Sequence, residues 1–338
     1  MNTETRMLMS VSPRLATAAL PTAIPITRLG RAAADALRAE SRWQVRAVFR
    51  RSFYCQSQGG SFVCLGPMSL GSGPLNVLCP IPEPTEWEAA GLAPDSAATC
   101  DGRFFRVAER FAFSLADATV WRPATPARWQ PATMRAGLDA LAREARARSA
   151  RGGLQALVPM YAGNAANLAA GVSGADPLNR MALGGAEPLA RWLEASLDRP
   201  EERIPVPSGA IATLVGLGPG LTPSGDDFLG GVLVALRQLG AARLAARLAA
   251  AVLSRAEWGT NEISRAHLAA AAGGEGAAAL HGLLISLCTP GAPGMRDWVS
   301  AIEAIGHSSG WDAVAGISLA AAGFARIGLA CDGAAATA

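Results

Sequence analysis

The sequence predicts an α+β protein, with a small β-rich N-terminal domain followed by a larger all-helical C-terminal domain. Three observations predict it. From Trp43 to about Trp121 the chain is a series of short β-rich runs (WQVRAVFRRSFYCQ, SFVCLG, PLNVLC, RFFRVAERFAF, ATVW) separated by Gly, Pro and Ser clusters, the texture of a small antiparallel sheet or barrel. A proline-punctuated segment, WRPATPARWQPAT at 121–133, then marks a boundary. Beyond it almost every stretch shows helical patterning, and a chain of 338 residues that is 50% hydrophobic can bury the cores of two domains.

In chain order, residues 1–28 carry scattered arginines and prolines and read as a loosely ordered lead-in. They lack the compact apolar core and cleavage site of a secretory signal, so a cytoplasmic protein is expected. RLGRAAADALRAE (28–40) is a leading helix, and the β-rich domain occupies 29–125. The helical domain, 130–335, begins with the amphipathic MRAGLDALAREARARSA (134–150) and continues through segments at 186–199, 226–240 and 241–258 to a terminal alanine- and glycine-rich helix. That last segment, AVAGISLAAAGFARIGLA, is built of small residues and broken by Arg326. A packed helix, and no membrane partner, is the expectation.

Composition excludes several functions. Charged residues are 17% and the net charge is +3, which gives neither the signature of disorder nor a nucleic-acid footprint. There is no lysine, so a P-loop, a Schiff-base enzyme and a kinase-type ATP site are all ruled out, and any anion must be held by arginine, backbone N–H groups or helix N-termini. Six cysteines without a C-x-x-C pair, and three histidines, give no zinc spacing; no metal ligand set is expected, and the apolar settings of the cysteines suggest reduced thiols.

The densest stretch is GLGPGLTPSGDDFLGG (216–231). A second, GHSSGWDAVAG (306–316), matches it at Ser224/Ser309, Gly225/Gly310, Asp227/Asp312 and Gly231/Gly316, so both read S-G-x-D-x-x-x-G ahead of an apolar helix. A weaker third instance stands at Ser173, Gly174 and Asp176. A serine cap with an acid three residues later explains part of each copy. Asp226, the Gly-Pro lead-in and the later glycine exceed what a cap needs, which points to a site. Two converging helix N-termini would offer free N–H groups to an anion. Thr222, Ser224, Ser308 and Ser309 would add hydroxyls, with Gly218, Gly220, Gly225 and Gly310 shaping the loops. Asp226, Asp227 and Asp312 would then face an amide or amino group, or a Mg²⁺ ion, the one cofactor these residues suggest. His307, beside the second loop, is a candidate acid, base or ligand donor. In GTNEISRAHL (259–268), Thr260 or Asn261 reads as a helix cap and Ser264 as a further ligand-binding candidate, while His281 reads as a core histidine.

Together, GLGPGLTPSGDDFLGG, TNEISRAHL and GHSSGWDAVAGI resemble the signature blocks of a bacterial domain-of-unknown-function family that includes AllH, a subunit of the oxamate carbamoyltransferase of allantoin degradation. The resemblance spans about residues 40–330; before Leu29 nothing corresponds. It implies an oligomeric subunit of a multi-protein transcarbamylase, acting with FdrA-like and AllG-like subunits. The substrate would be a small anionic carbamoyl-type compound, with a carbamoyl group exchanged between an oxamate-like amide and phosphate. Three functions stay open: the carbamoyl-transfer subunit, a non-catalytic anion-binding or assembly module, and a Mg²⁺-dependent phosphate-ester or nucleotide enzyme. Whether Asp227 and Asp312 face one cleft separates a shared site from two helix caps.

Overall fold

The structure is a computed structural model and describes residues 23–83, 85–126, 128–162 and 176–335. Most of the lead-in (1–22) and Ser173 and Gly174 of the third motif lie outside the described residues.

The N-terminal part is one ten-stranded sheet, not the small antiparallel sheet expected. Its strands are β1 (Ile24–Pro25), β2 (Arg28–Gly30), β3 (Arg42–Val48), β4 (Phe53–Ser57), β5 (Phe62–Pro67), β6 (Asn76–Cys79), β7 (Ala97–Cys100), β8 (Phe104–Val107), β9 (Phe111–Ser114) and β10 (Thr119–Trp121). They lie in the order β1-β9-β8-β7-β3-β4-β5-β6-β2-β10, and helix α1 (Arg31–Ala39) follows β2. The sheet is mixed, with β1/β9, β10/β2 and β5/β6 parallel. Two of those pairs rest on strands of two or three residues, too short to display a period-2 alternation. This is the physical reason the sequence understated the sheet, and why Arg28–Gly30 read as helix rather than strand.

The sheet curls. Ile26 N–H donates to Ser114 O on β9, and the next residue, Thr27, donates to Leu78 O on β6, each at 2.9 Å. Ten strands laid flat would span roughly 40 Å at about 4.8 Å per strand, yet one peptide bridges strands near opposite ends. Curling encloses a core of Val45, Phe53, Cys55, Val63, Leu65, Val77, Phe105, Val107 and Phe113, with Ala33, Ala34 and Leu37 of α1 packed onto it.

From Pro131 the described chain is helical: α2 (Pro131–Ala147), α3 (Val158–Ala162), α4 (Pro177–Asp198), α5 (Ser208–Leu214), α6 (Ser224–Gln238), α7 (Ala242–Gly259), α8 (Glu262–Ala272), α9 (Ala278–Cys288), α10 (Met295–Glu303) and α11 (Ser309–Ala335), with a short 3₁₀ turn at Gln155–Leu157. Leu, Val and Ala from α2, α4, α6, α9 and α11 form a second continuous core. No helix among the described residues is long and apolar enough to cross a membrane.

At the centre of this core α6 crosses α11, the most extensively packed helix pair. A Cβ built on Gly231 of α6 would stand 2.0 Å from Ala313 O, and one on Gly316 of α11 would stand 1.9 Å from Phe228 O. Gly231 and Gly316 are motif equivalents, and so are Phe228 and Ala313, so the contact is reciprocal about an approximate two-fold. The likeness extends outward. Gly225 lies against Leu214 O and Gly310 against Ile302 O, each on the helix preceding its own motif. Gly225 N–H bonds Leu217 O, and Gly310 N–H bonds Ile305 O. The fold therefore repeats a unit of helix, glycine turn and S-G-x-D helix.

Gly231→Ala and Gly316→Ala should each force the crossing apart, at a cost of about 2 kcal/mol or more, seen as a fall of several degrees in melting temperature. Gly230→Ala is the internal control. Its Cβ meets only the Ala271 methyl at 3.7 Å, and there alanine should raise stability by about 0.5–1 kcal/mol.

Candidate functional site

Because the close crossing sits one turn beyond the motif acids, it brings the starts of α6 and α11 together. Pro223 occupies the N-cap of α6 and no side chain caps it, so Ser224 is not the cap its spacing suggested. Ser224 is buried and its hydroxyl acts on the Asp312 carboxyl of the other copy, while that of Ser309 acts on Asp227 of the first. The two motifs thus exchange serine–aspartate contacts. Thr222 joins them, its Oγ1 lying 2.9 Å from Ser309 Oγ and its hydroxyl also reaching the Asp227 carboxyl.

The three aspartates differ in environment. Asp226 is a buried brace: Oδ1 accepts from Gly216 N–H at 2.8 Å, and Oδ2 accepts from Thr260 Oγ1 at 2.5 Å and Ser264 Oγ at 2.6 Å. It ties the loop before α6 to the end of α7 and the first turn of α8. Asp312 is fully buried and accepts from Leu154 N–H at 2.6 Å and Ser308 Oγ at 3.0 Å. Asp227 is half-buried as a residue, yet its Oδ2 is shut from water with no hydrogen-bond partner. Burial, then the charge of Asp312, pushes the Asp227 carboxyl well above the usual carboxylate range, against the opposing pull of Ser309 and Thr222. Burial likewise raises Asp312, although Leu154, Ser224 and Ser308 work the other way. Two like-charged carboxyls in one buried place do not readily ionise together, so this pair favours holding a proton.

The other sequence candidates fall at varying distance from that pair. Gly218, with φ +103°, turns the loop over Ser224. Gly220 is exposed, with nothing within 4 Å of a Cβ built on it, and His307 is exposed beside the second motif. Asn261 caps α8 by accepting from Ser264 N–H at 3.0 Å, and buried His281 accepts from Gly276 N–H at 3.1 Å. The expected cradle of free N–H groups is largely closed: Asp226 and Asp227 N–H bond Pro223 O, Gly225 N–H bonds Leu217 O, Gly310 N–H bonds Ile305 O, and Asp312 N–H bonds Ser308 O. An anion at this point would meet the two helix dipoles and hydroxyls rather than a set of free N–H groups. Among the described residues no group of three or more His, Cys, Asp or Glu side chains is placed to hold a metal ion.

Two contributors went unrecognised in the sequence. Leu154 supplies a backbone donor, which no side-chain pattern announces; a Cβ on the adjoining Gly153 would stand 2.2 Å from Asp312 Oδ1. Tyr54 comes from the sheet, and the charge of Asp227 acts on its hydroxyl. Its signal was a polar aromatic on the outward phase of an alternating strand. A separate open depression of about 480 Å³, lined by residues such as Arg143, Glu144 and Arg296, touches none of the motif residues.

Fold and site define a class: a curled-sheet and helical protein whose helical part carries a duplicated S-G-x-D unit closing on a pair of aspartates, Asp227 and Asp312. Residues 214–321 match the family model described as oxamate carbamoyltransferase subunit AllH. That stretch takes in both motifs and α8. No curated protein matches the chain, and no solved structure does.

The raised Asp227 carboxyl has a consequence for stability. The folded state keeps a proton that the unfolded chain releases above about pH 4, so this group favours folding fully below that pH and progressively less as pH rises toward its folded value. Asp227→Asn should therefore melt higher than wild type, with a gain near zero at pH 4 that grows to about 2 °C or more at pH 8 in thermal unfolding. Asp226→Ala should act oppositely, destabilising by about 3 kcal/mol because it strands three donors in the interior.

Proposed function

We propose that the chain is a subunit of a multi-protein carbamoyltransferase and that the Asp227–Asp312 site binds the carbamoyl group. The substrates are oxamate or a related ureido or carbamoyl compound, with phosphate and carbamoyl phosphate, in purine and allantoin nitrogen catabolism. The observation that carries the reading is Asp227 Oδ2, buried and unpartnered where the two matched motifs meet. A neutral carboxyl presents an O–H donor beside a C=O acceptor, the complement of a primary amide, which presents C=O beside N–H. Burial and Asp312 favour that neutral form. An oxamate-like ligand would pair its amide with Asp227 and set its anionic end against the starts of α6 and α11, near Thr222 and Ser309.

Asp312 acts through Asp227, by favouring the protonated form. Ser224 and Ser308 hold Asp312, and Asp226 with Ser264 fixes the loop, so these are positioning residues. FdrA-like and AllG-like partner subunits would complete the transfer machinery. With those partners present, Asp227→Ala should lower carbamoyl-phosphate formation and its arsenolysis at least 100-fold, and Ser309→Ala about tenfold. Wild-type rates in Asp227→Ala would sink the assignment.

A further inference from the structure

We propose that Tyr54, carried by the sheet, is a ligand-positioning residue of this same site and is oriented by His267; the inference rests on the carbamoyl-binding reading above. On β4 the side chains alternate: Phe53, Cys55 and Ser57 are buried toward the sheet's own core, while Tyr54 and Gln56 are half-buried on the other face. Tyr54 Oη lies 3.1 Å from His267 Nε2, and the two rings meet edge to face with centroids 6.1 Å apart. His267 stands on α8 one turn past Ser264, the residue that holds Asp226 at 2.6 Å. Tyr54, Thr222, Asp227, His267 and Ser309 are each half-buried, whereas Asp226, Ser264 and Asp312 are fully buried, and the charge of Asp227 acts on the Tyr54 hydroxyl.

The chemistry of the pair suits a ligand oxygen. Burial keeps the Tyr54 phenol protonated, its acidity weakened further by Cys64 and Asp227. Burial pulls His267 down to about 4, so its ring is neutral near pH 7. A neutral imidazole donates at one nitrogen and accepts at the other. With the proton on Nε2, His267 donates to Tyr54 Oη, and the phenol O–H is released to turn toward another acceptor, either Cys64 opposite it on β5 or a ligand oxygen. With the proton on Nδ1, the phenol is tied back to Nε2. The tautomer of His267 therefore decides whether Tyr54 offers a hydrogen bond to an oxygen of the carbamoyl ligand, and a bound ligand selects the Nε2–H form. The sheet thereby adds a phenolic donor to the hydroxyls of Thr222 and Ser309.

The test titrates oxamate and carbamoyl phosphate into the full-length chain by calorimetry and follows ¹⁵N-labelled histidine rings by NMR. The expected result is measurable binding by wild type, its loss in Asp227→Ala, and about tenfold weaker binding in Tyr54→Phe, the effect of one lost hydrogen bond. The His267 ring nitrogens of wild type should shift toward the Nε2–H tautomer on ligand addition. Unchanged affinity in Tyr54→Phe, with Asp227→Ala still inactive in binding, would overturn this inference and leave the carbamoyl reading standing. An affinity loss with no ligand response at His267 would mean that Tyr54 only packs, and would overturn it as well. Failure of wild type to bind either probe would remove both readings together.

Discussion

The reciprocal contact of Gly231 with Ala313 O and of Gly316 with Phe228 O is the constraint from which the site follows. Helix axes normally stay 8–10 Å apart, set by the side chains between them, and removing the side chain at both crossing points lets backbone meet backbone. The crossing lies one turn beyond Asp227 and Asp312, so a close approach there leaves the two acids no choice but to meet. Everything polar nearby can be understood as a response to that meeting. Ser224 and Ser309 cross over to the opposite acid, Ser308 and Leu154 N–H serve Asp312, and Thr222 bridges to Ser309.

That response is incomplete in an informative way. Asp226 has a donor for each of its contacts and behaves as a structural brace, whereas Asp227, its immediate neighbour, keeps an oxygen buried and unpaired. Burying such a group costs free energy that folding does not recover. Removing the carboxyl would be the simpler route to stability, so its cost to the fold is what the ligand-binding reading proposed above has to explain.

Sequence made the helical half of this readable and hid the rest for identifiable reasons. Serine, aspartate and glycine recurring at the same spacing in an alanine-rich chain marked both motifs, and the later glycine signalled close approach before any neighbour was known. The pattern could not say that Ser224 reaches across to the other copy rather than capping its own helix, because both uses need the same residue at the same place. Nor could it show that first-turn N–H groups fold back onto Pro223, Leu217, Ile305 and Ser308. The sheet was understated because β1, β2 and β10 are two or three residues long, and their pairing is dictated by curling rather than by local alternation.

The junction between the two parts gives that sheet a role beyond support. Their apolar cores are separate, and polar contacts join them: Arg31 pairs with Glu275, Arg46 with Glu262 at 3.4 Å, Ala278 N–H donates to Ser72 O at 2.7 Å, and Tyr54 meets His267. Exposed ion pairs such as Arg46–Glu262 contribute little to stability, so they locate the parts more than they bind them. A joint made this way fixes how β4 presents Tyr54 to His267 of α8. On the carbamoyl-binding reading, neutral hydrogen-bonding groups such as Tyr54 and His267 would take the part that lysine plays elsewhere, since this chain has none.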